Sequence, residues 1–212
     1  MRHIAPFQFI THQNCHYSYT NGARMALAGG CRWIQLRMKN ADDNVFLSTG
    51  RAIKELCRNN AVLILDDRVD LVEPLDADGV HLGKSDMPLA EARQRLGPNR
   101  IIGATANSLD DILRATQAGA DYIGCGPFRF TTTKQNLAPV LGLEGYKQII
   151  KEMRKLRINV PLVAVGGITA ADIPLILQTG VEGIALSGAI LNAPDPVFET
   201  KRIINIIKQK DK

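Results

Sequence analysis

Ala118-Gly119-Ala120-Asp121-Tyr122-Ile123-Gly124 is a helix end, a glycine, and then a short β-prone run. The glycine supplies the left-handed conformation that closes a helix, so the phrase marks a helix-to-strand joint. It recurs as Ala28-Gly29-Gly30-Cys31-Arg32-Trp33-Ile34-Gln35-Leu36 and as Thr179-Gly180-Val181-Glu182-Gly183-Ile184-Ala185-Leu186. A looser copy is Asp76-Ala77-Asp78-Gly79-Val80-His81-Leu82-Gly83. Counting outward from these joints gives eight β-like runs: Phe7–Ile10, Trp33–Arg37, Val62–Leu65, Gly79–Leu82, Ile101–Gly103, Tyr122–Cys125, Leu162–Val165 and Gly183–Leu186.

Helical periodicity fills most of the gaps. Ser108 is a candidate N-cap with Asp111 three residues on, ahead of Leu109, Ile112 and Leu113. Leu143, Tyr146, Ile149, Ile150 and Met153 repeat at three and four. Thr169 with Asp172 is expected to open a further helix, and Asp195-Pro196 the last one. Eight strand–helix units in about 200 residues predict an α/β fold of the (β/α)8 TIM-barrel type. An open doubly wound sheet would normally carry a dinucleotide fingerprint, which is absent here. No linker or low-complexity stretch divides the chain, so residues 1–212 are expected to form one domain.

A chain of 212 residues with 45% hydrophobic content can bury a substantial core. Its net charge of +5 is scattered, apart from a basic terminal stretch that reads as a solvated helix face, and aromatics are only 5%. That argues against nucleic acid and for small anionic ligands. Cys15, Cys31, Cys57 and Cys125 show no metal-type spacing and read as small apolar residues in a reducing compartment, with Cys125 near the expected site. The apolar runs fall far short of the ~20 residues needed to span a bilayer. The first residues lack a secretory apolar core, and a cytoplasmic location is expected.

In a barrel the functional face lies at the C-terminal ends of the strands. Polar groups follow each expected run: Gln35, Arg37 and Lys39; Asp66 and Asp67; Lys84 and Asp86; Thr105; and then Thr131, Thr133 and Lys134 beyond Gly126-Pro127. Gly166-Gly167 and Ser187-Gly188 follow the last two runs, at the loops where barrels commonly hold a monophosphate. Hydroxyls, free backbone N–H groups and a lysine ammonium suit phosphate oxygens. Three carboxylates (Asp66, Asp67, Asp86) and three cations (Arg37, Lys39, Lys134) converge on one mouth. Mg²⁺ shared with ligand phosphates would offset their repulsions; a rim of salt bridges is the alternative from charge alone.

Over nearly its whole length the chain resembles the thiamine-phosphate synthase family. The resemblance rests on Gln35-Leu36-Arg37-Met38-Lys39, Asp66-Asp67-Arg68-Val69-Asp70-Leu71, Gly79-Val80-His81-Leu82-Gly83-Lys84-Ser85-Asp86, Gly124-Cys125-Gly126-Pro127, Thr131-Thr132-Thr133-Lys134 and Val165-Gly166-Gly167-Ile168. It implies the coupling of 4-amino-2-methyl-5-hydroxymethylpyrimidine diphosphate with 4-methyl-5-hydroxyethylthiazole phosphate. The diphosphate leaves first, through a pyrimidine methylene cation, and thiamine phosphate and pyrophosphate result. Under the resemblance, Asp67 and Asp86 hold Mg²⁺ on the diphosphate, while Arg37, Lys39 and Lys134 neutralise it as it leaves. Gln35 positions the pyrimidine, and Thr105 lies by the diphosphate. Thr131, Thr133, Gly167, Ser187 and Gly188 bind the thiazole phosphate. The attacking nitrogen has no proton to lose, so no general base is required; His81 and Trp33 read as packed residues.

Four positions depart from the family pattern: Met38 in place of an acid, Asp66 in place of Asn, Gly188 in place of Ser, and Arg129-Phe130 in a segment often ending in Pro. Asp66 is expected to join the Mg²⁺ site, compensating for Met38. Two alternatives share the barrel. A thiazole tautomerase would use a His after the fifth strand, where Ala106-Asn107-Ser108 stands. The other is a non-catalytic protein binding thiazole phosphate or thiamine phosphate. Thr131–Asn136 has a composition suited to a closing lid.

Overall fold

The computed structural model describes residues 5–58, 61–130 and 139–209. Eight parallel strands close into a barrel in chain order: β1 (Phe7–Ile10), β2 (Trp33–Leu36), β3 (Val62–Asp66), β4 (Gly79–Leu82), β5 (Ile101–Ala106), β6 (Tyr122–Cys125), β7 (Leu162–Val165) and β8 (Gly183–Leu186). β1 meets β8 in the register Phe7↔Ile184, Gln8↔Ala185 and Phe9↔Leu186, which closes the sheet. The helices are α1 (Tyr19–Ala28), α2 (Asp43–Cys57), α3 (Leu89–Leu96), α4 (Leu109–Gln117), α5 (Gly142–Lys155), α6 (Ile173–Gln178), α7 (Gly188–Leu191) and α8 (Pro196–Lys208). Between β3 and β4 the crossover is a 3-10 turn, Val69–Leu71, rather than an α-helix.

Strand alternation sorts the side chains into two cores. Ile34, Leu36, Leu63, Leu65, Val80 and Leu82 point outward and join the larger cluster under the helices. Trp33, Ile64, Ile101, Tyr122, Val163 and Ala185 point into the lumen and form a smaller apolar cluster. On four of these strands the residue two further along is polar or a glycine (Gln35, Asp66, Gly103 and Gly124), whereas on β7 it is Val165. The lumen is thus apolar near the strand starts and polar towards their C-terminal ends.

Caps end the helices where the sequence leads one to expect. Ser108 Oγ accepts from the Asp111 N–H, and the Asp195 carboxylate accepts from the Phe198 N–H, with Pro196 in the first turn of α8. Three boundaries move. β2 stops at Leu36 and β3 runs on to Asp66, while β5 continues through Thr105 to Ala106 because these residues pair with Gly124 and Cys125 of β6. At Thr169 half of a capping box forms, its N–H and hydroxyl donating to the Asp172 carboxylate. The turn that follows is closed by an i to i−3 bond from Asp172 N to Thr169 O, so α6 begins only at Ile173. No helix among the described residues is long and apolar enough to cross a membrane.

Candidate active site

The charged groups expected at the mouth fall into two linked sets. In the first, Gln35 Nε2 donates to Asp66 Oδ1 at 2.5 Å, and Arg37 Nε lies 3.4 Å from Asp66 Oδ2. Both Asp66 oxygens are therefore engaged. Burial pushes this carboxyl up to about 7, Asp67 adds to the rise, and Arg37, Lys39 and the Gln35 amide oppose it. Gln35 is 3% exposed, and its Oε1 is buried without a hydrogen-bond partner among the described residues.

The second set is Asp67, Asp86 and Lys39. Asp67 sits just beyond β3 in the left-handed region at φ 66°, tethered by its N–H to the His81 carbonyl at 2.9 Å. A non-glycine residue held there is strained, which a functional position tolerates when its surroundings fix it. Lys39 Nζ lies 3.1 Å from Asp67 Oδ2, and the Asp86 carboxyl is within hydrogen-bonding reach of Asp67. Burial and Asp86 together raise the Asp67 pKa, against the pull of Lys39. Asp86 is anchored by the Gly83 N–H at 2.6 Å. Lys84 turns instead to Asp111 at the start of α4, at 2.6 Å. Among the described residues no group of three or more His, Cys, Asp or Glu side chains is placed to hold a metal ion. Asp66 thus spends its oxygens on Gln35 and Arg37, while Asp67 and Asp86 share a site.

Thr105 lies on β5 beside the third feature, a buried polar chain. His81 Nε2 is 2.9 Å from Thr105 Oγ1, His81 Nδ1 is 3.0 Å from the Tyr122 hydroxyl, and Gln8 Nε2 donates to that hydroxyl at 3.4 Å. His81 is packed beneath the mouth, as its sequence context suggests, and Trp33 is core, edge-on to the Tyr122 ring at 4.8 Å. The polar use of Gln8 and Tyr122 was hidden in the sequence, where both sit inside strand runs with no motif around them.

On the opposite side of the mouth, Gly166 and Gly167 adopt φ 97° and 66° after β7. Ser187 and Gly188 lead into α7, and Ser187 Oγ is buried without a partner among the described residues. Arg129, which the sequence marks only as part of a departure from the family pattern, ties the loop after β6 to the loop after β7. Its guanidinium donates to the Gly167 carbonyl at 2.8 Å and to Asp172 at 2.8 and 3.0 Å. Asn107 donates to the Gly126 carbonyl, so the polar residue after β5 is tied into the backbone. Cys125, expected near the site, packs in the outer core instead, and burial pushes its thiol up to about 12. Thr131, Thr133, Lys134 and the Thr131–Asn136 segment lie outside the described residues.

A family model described as thiamine monophosphate synthase matches residues 7–190. The chain belongs to the thiamine monophosphate synthase family. It is 62% identical over 200 residues to a thiamine-phosphate synthase of Bacteroides fragilis, covering 94% of this chain and 98% of that one. Over 204 residues it is 43% identical to the thiamine-phosphate synthase of Flavobacterium johnsoniae, covering 96% and 94% of the two chains. Among solved structures it is similar to the thiamine phosphate pyrophosphorylase from Pyrococcus furiosus, with a TM-score of 0.85, 37% identity and coverage of 96% and 95%. Membership makes the chain an enzyme of thiamine biosynthesis, a transferase that forms thiamine phosphate from small molecules.

Proposed function

We propose that the mouth couples 4-amino-2-methyl-5-hydroxymethylpyrimidine diphosphate with 4-methyl-5-hydroxyethylthiazole phosphate, using Mg²⁺ held by Asp67 and Asp86. The observation that carries this reading is the Asp67–Asp86 pair beside Lys39. Two carboxylates this close are stable only with a proton or a cation between them. Their hard oxygens, too few to enclose a metal alone, fit an ion that keeps waters and takes its remaining ligands from substrate phosphates. When bound, Mg²⁺ screens the charge on the diphosphate. Asp66 is a weaker candidate ligand because Gln35 and Arg37 already occupy its oxygens.

The chain's own residues do the rest. Arg37 and Lys39, joined by Lys134, neutralise the departing diphosphate, and the Thr105 hydroxyl donates to it. Gln35 offers its unpartnered Oε1 to the amino group of the pyrimidine, its Nε2 being committed to Asp66. Departure of the diphosphate leaves a methylene cation on the electron-rich pyrimidine, which the thiazole nitrogen captures. Thr131, Thr133, and the backbone at Gly167, Ser187 and Gly188 hold the thiazole phosphate so that its nitrogen faces the cation. Four free cysteines and the preference for small anions suit a cytoplasmic enzyme. The tautomerase alternative finds no support after β5, where Asn107 is spent on Gly126.

The test is turnover with both substrates and Mg²⁺, following thiamine phosphate and pyrophosphate together with an EDTA control. Equal and chelator-sensitive appearance of both products is expected. Full turnover in EDTA would remove the metal from the reading, and no product with both ligands bound would leave a binding protein.

A further inference from the structure

The polar chain beneath Thr105 has a direction. Burial pushes the Tyr122 phenol well above its usual range, so it keeps its proton. Gln8 Nε2 donates to the phenol oxygen, which leaves the phenol's proton for His81 Nδ1. The imidazole proton then sits on Nε2 and points at Thr105 Oγ1. A hydroxyl that accepts from an imidazole has its own proton free to donate elsewhere. Thr105 stands at the C-terminal end of β5, and the mouth lies above it.

The lumen is cut to fit this chain. A Cβ on Gly103 would lie 2.1 Å from Tyr122 Cζ, and one on Gly124 2.9 Å from His81 Cε1. Two strand positions therefore forgo side chains, at a cost in strand stability, to seat one phenol and one imidazole. A barrel interior needing only to be filled would use branched apolar residues at these levels.

We propose that Gln8, Tyr122 and His81 form a positioning relay that holds the Thr105 hydroxyl as a hydrogen-bond donor to the leaving diphosphate. The inference rests on the reading of Thr105 given above. Tyr122 and His81 are positioning residues; only Thr105 touches the substrate.

A double-mutant cycle on the full-length enzyme tests this, with kcat and KM measured for each substrate. Thr105→Val is expected to lower kcat about tenfold or more, and Tyr122→Phe about threefold to tenfold, with KM for the thiazole phosphate within about twofold in both. The double variant is expected to match Thr105→Val alone within about twofold, because Tyr122 acts only through Thr105. His81→Gln, whose amide can still donate to Thr105, is expected to be several-fold faster than His81→Leu. Effects of Tyr122→Phe and Thr105→Val that multiply would overturn the relay. So would a fully active Tyr122→Phe, or His81→Gln no faster than His81→Leu. A fully active Thr105→Val would instead sink the reading of Thr105, and the relay with it.

Discussion

Asp66 is the residue at which charge, burial and register meet. Asp66 is 8% exposed and its carboxyl is raised to about 7, yet it is bracketed by the Gln35 amide, which donates to it, and by the Arg37 guanidinium, ion-paired at 3.4 Å. A ligand of Mg²⁺ needs a lone pair directed at the ion, and the two carboxylates that the fold brings together are Asp67 and Asp86, each with one oxygen held, by Lys39 and by the Gly83 N–H. Asp66→Asn is therefore expected to leave the Mg²⁺ concentration at half-maximal rate within about twofold. Asp86→Asn is expected to raise it about tenfold, equivalent to ~1.4 kcal/mol. A Mg²⁺ titration of initial rates decides; equal shifts in the two variants would return Asp66 to the metal site. That Asp66 sits at the mouth was legible from its place at the end of an apolar run. Its partners were not, because they follow from the β2–β3 register, Gln35↔Ile64 and Leu36↔Leu65, which no local pattern encodes.

At the level of elements, the loops after β6 and β7 are joined by an ion pair that spans the start of α6. Arg129 reaches both oxygens of Asp172 while Thr169 donates to Oδ2 of the same carboxylate, so one side chain closes the α6 turn and fastens it to the neighbouring loop. Arg129 holds the Asp172 pKa down to about 2, with Thr169 assisting against a burial effect. The folded value lies below the unfolded value of about 3.9, so the folded state binds fewer protons. The contribution to stability is complete above about pH 4 and is lost as pH falls towards 2. Arg129 is half exposed, so screening limits the worth of the pair to about 1 kcal/mol at neutral pH. Asp172→Asn is expected to lower Tm by about 2–4 °C at pH 7, and the gap to close between pH 4 and 2. Calorimetry across that range checks it; a gap independent of pH would mean that the ion pair is not its source. The Thr169 and Asp172 spacing was readable as a helix start. Arg129 was not, being 43 residues from Asp172 and joined to it only once β6 and β7 lie side by side. Similarly, Ala104 and Ala106 have little strand preference, and β5 extends through them because Ala104 pairs with both β4 and β6 and Ala106 pairs with Cys125 of β6.

Across the whole molecule, the two cores divide labour along the barrel axis. The apolar lumen cluster and the helical shell supply burial, while the polar lumen and the loops beyond the C-terminal strand ends supply chemistry. The two cores share the same strands, each strand sending alternate residues to one and then the other. Neither can loosen without exposing the other, and β1–β8 closure leaves no free edge at which unfolding could start. The single tryptophan reports on the inner core alone: Trp33 is 2% exposed, facing Tyr122 within the lumen. Helical circular dichroism reports on the outer shell. If residues 5–209 behave as one domain, the red shift of Trp33 emission and the loss of helical signal will share one denaturant midpoint. Substrate at 100 times its dissociation constant is expected to stabilise the fold by about 2.7 kcal/mol and to move both midpoints together, although the ligand sits at the mouth. A Trp33 transition that precedes the helical one, or a ligand shift confined to one probe, would show that lumen and shell are separate cooperative units and that the mouth is built on only one of them.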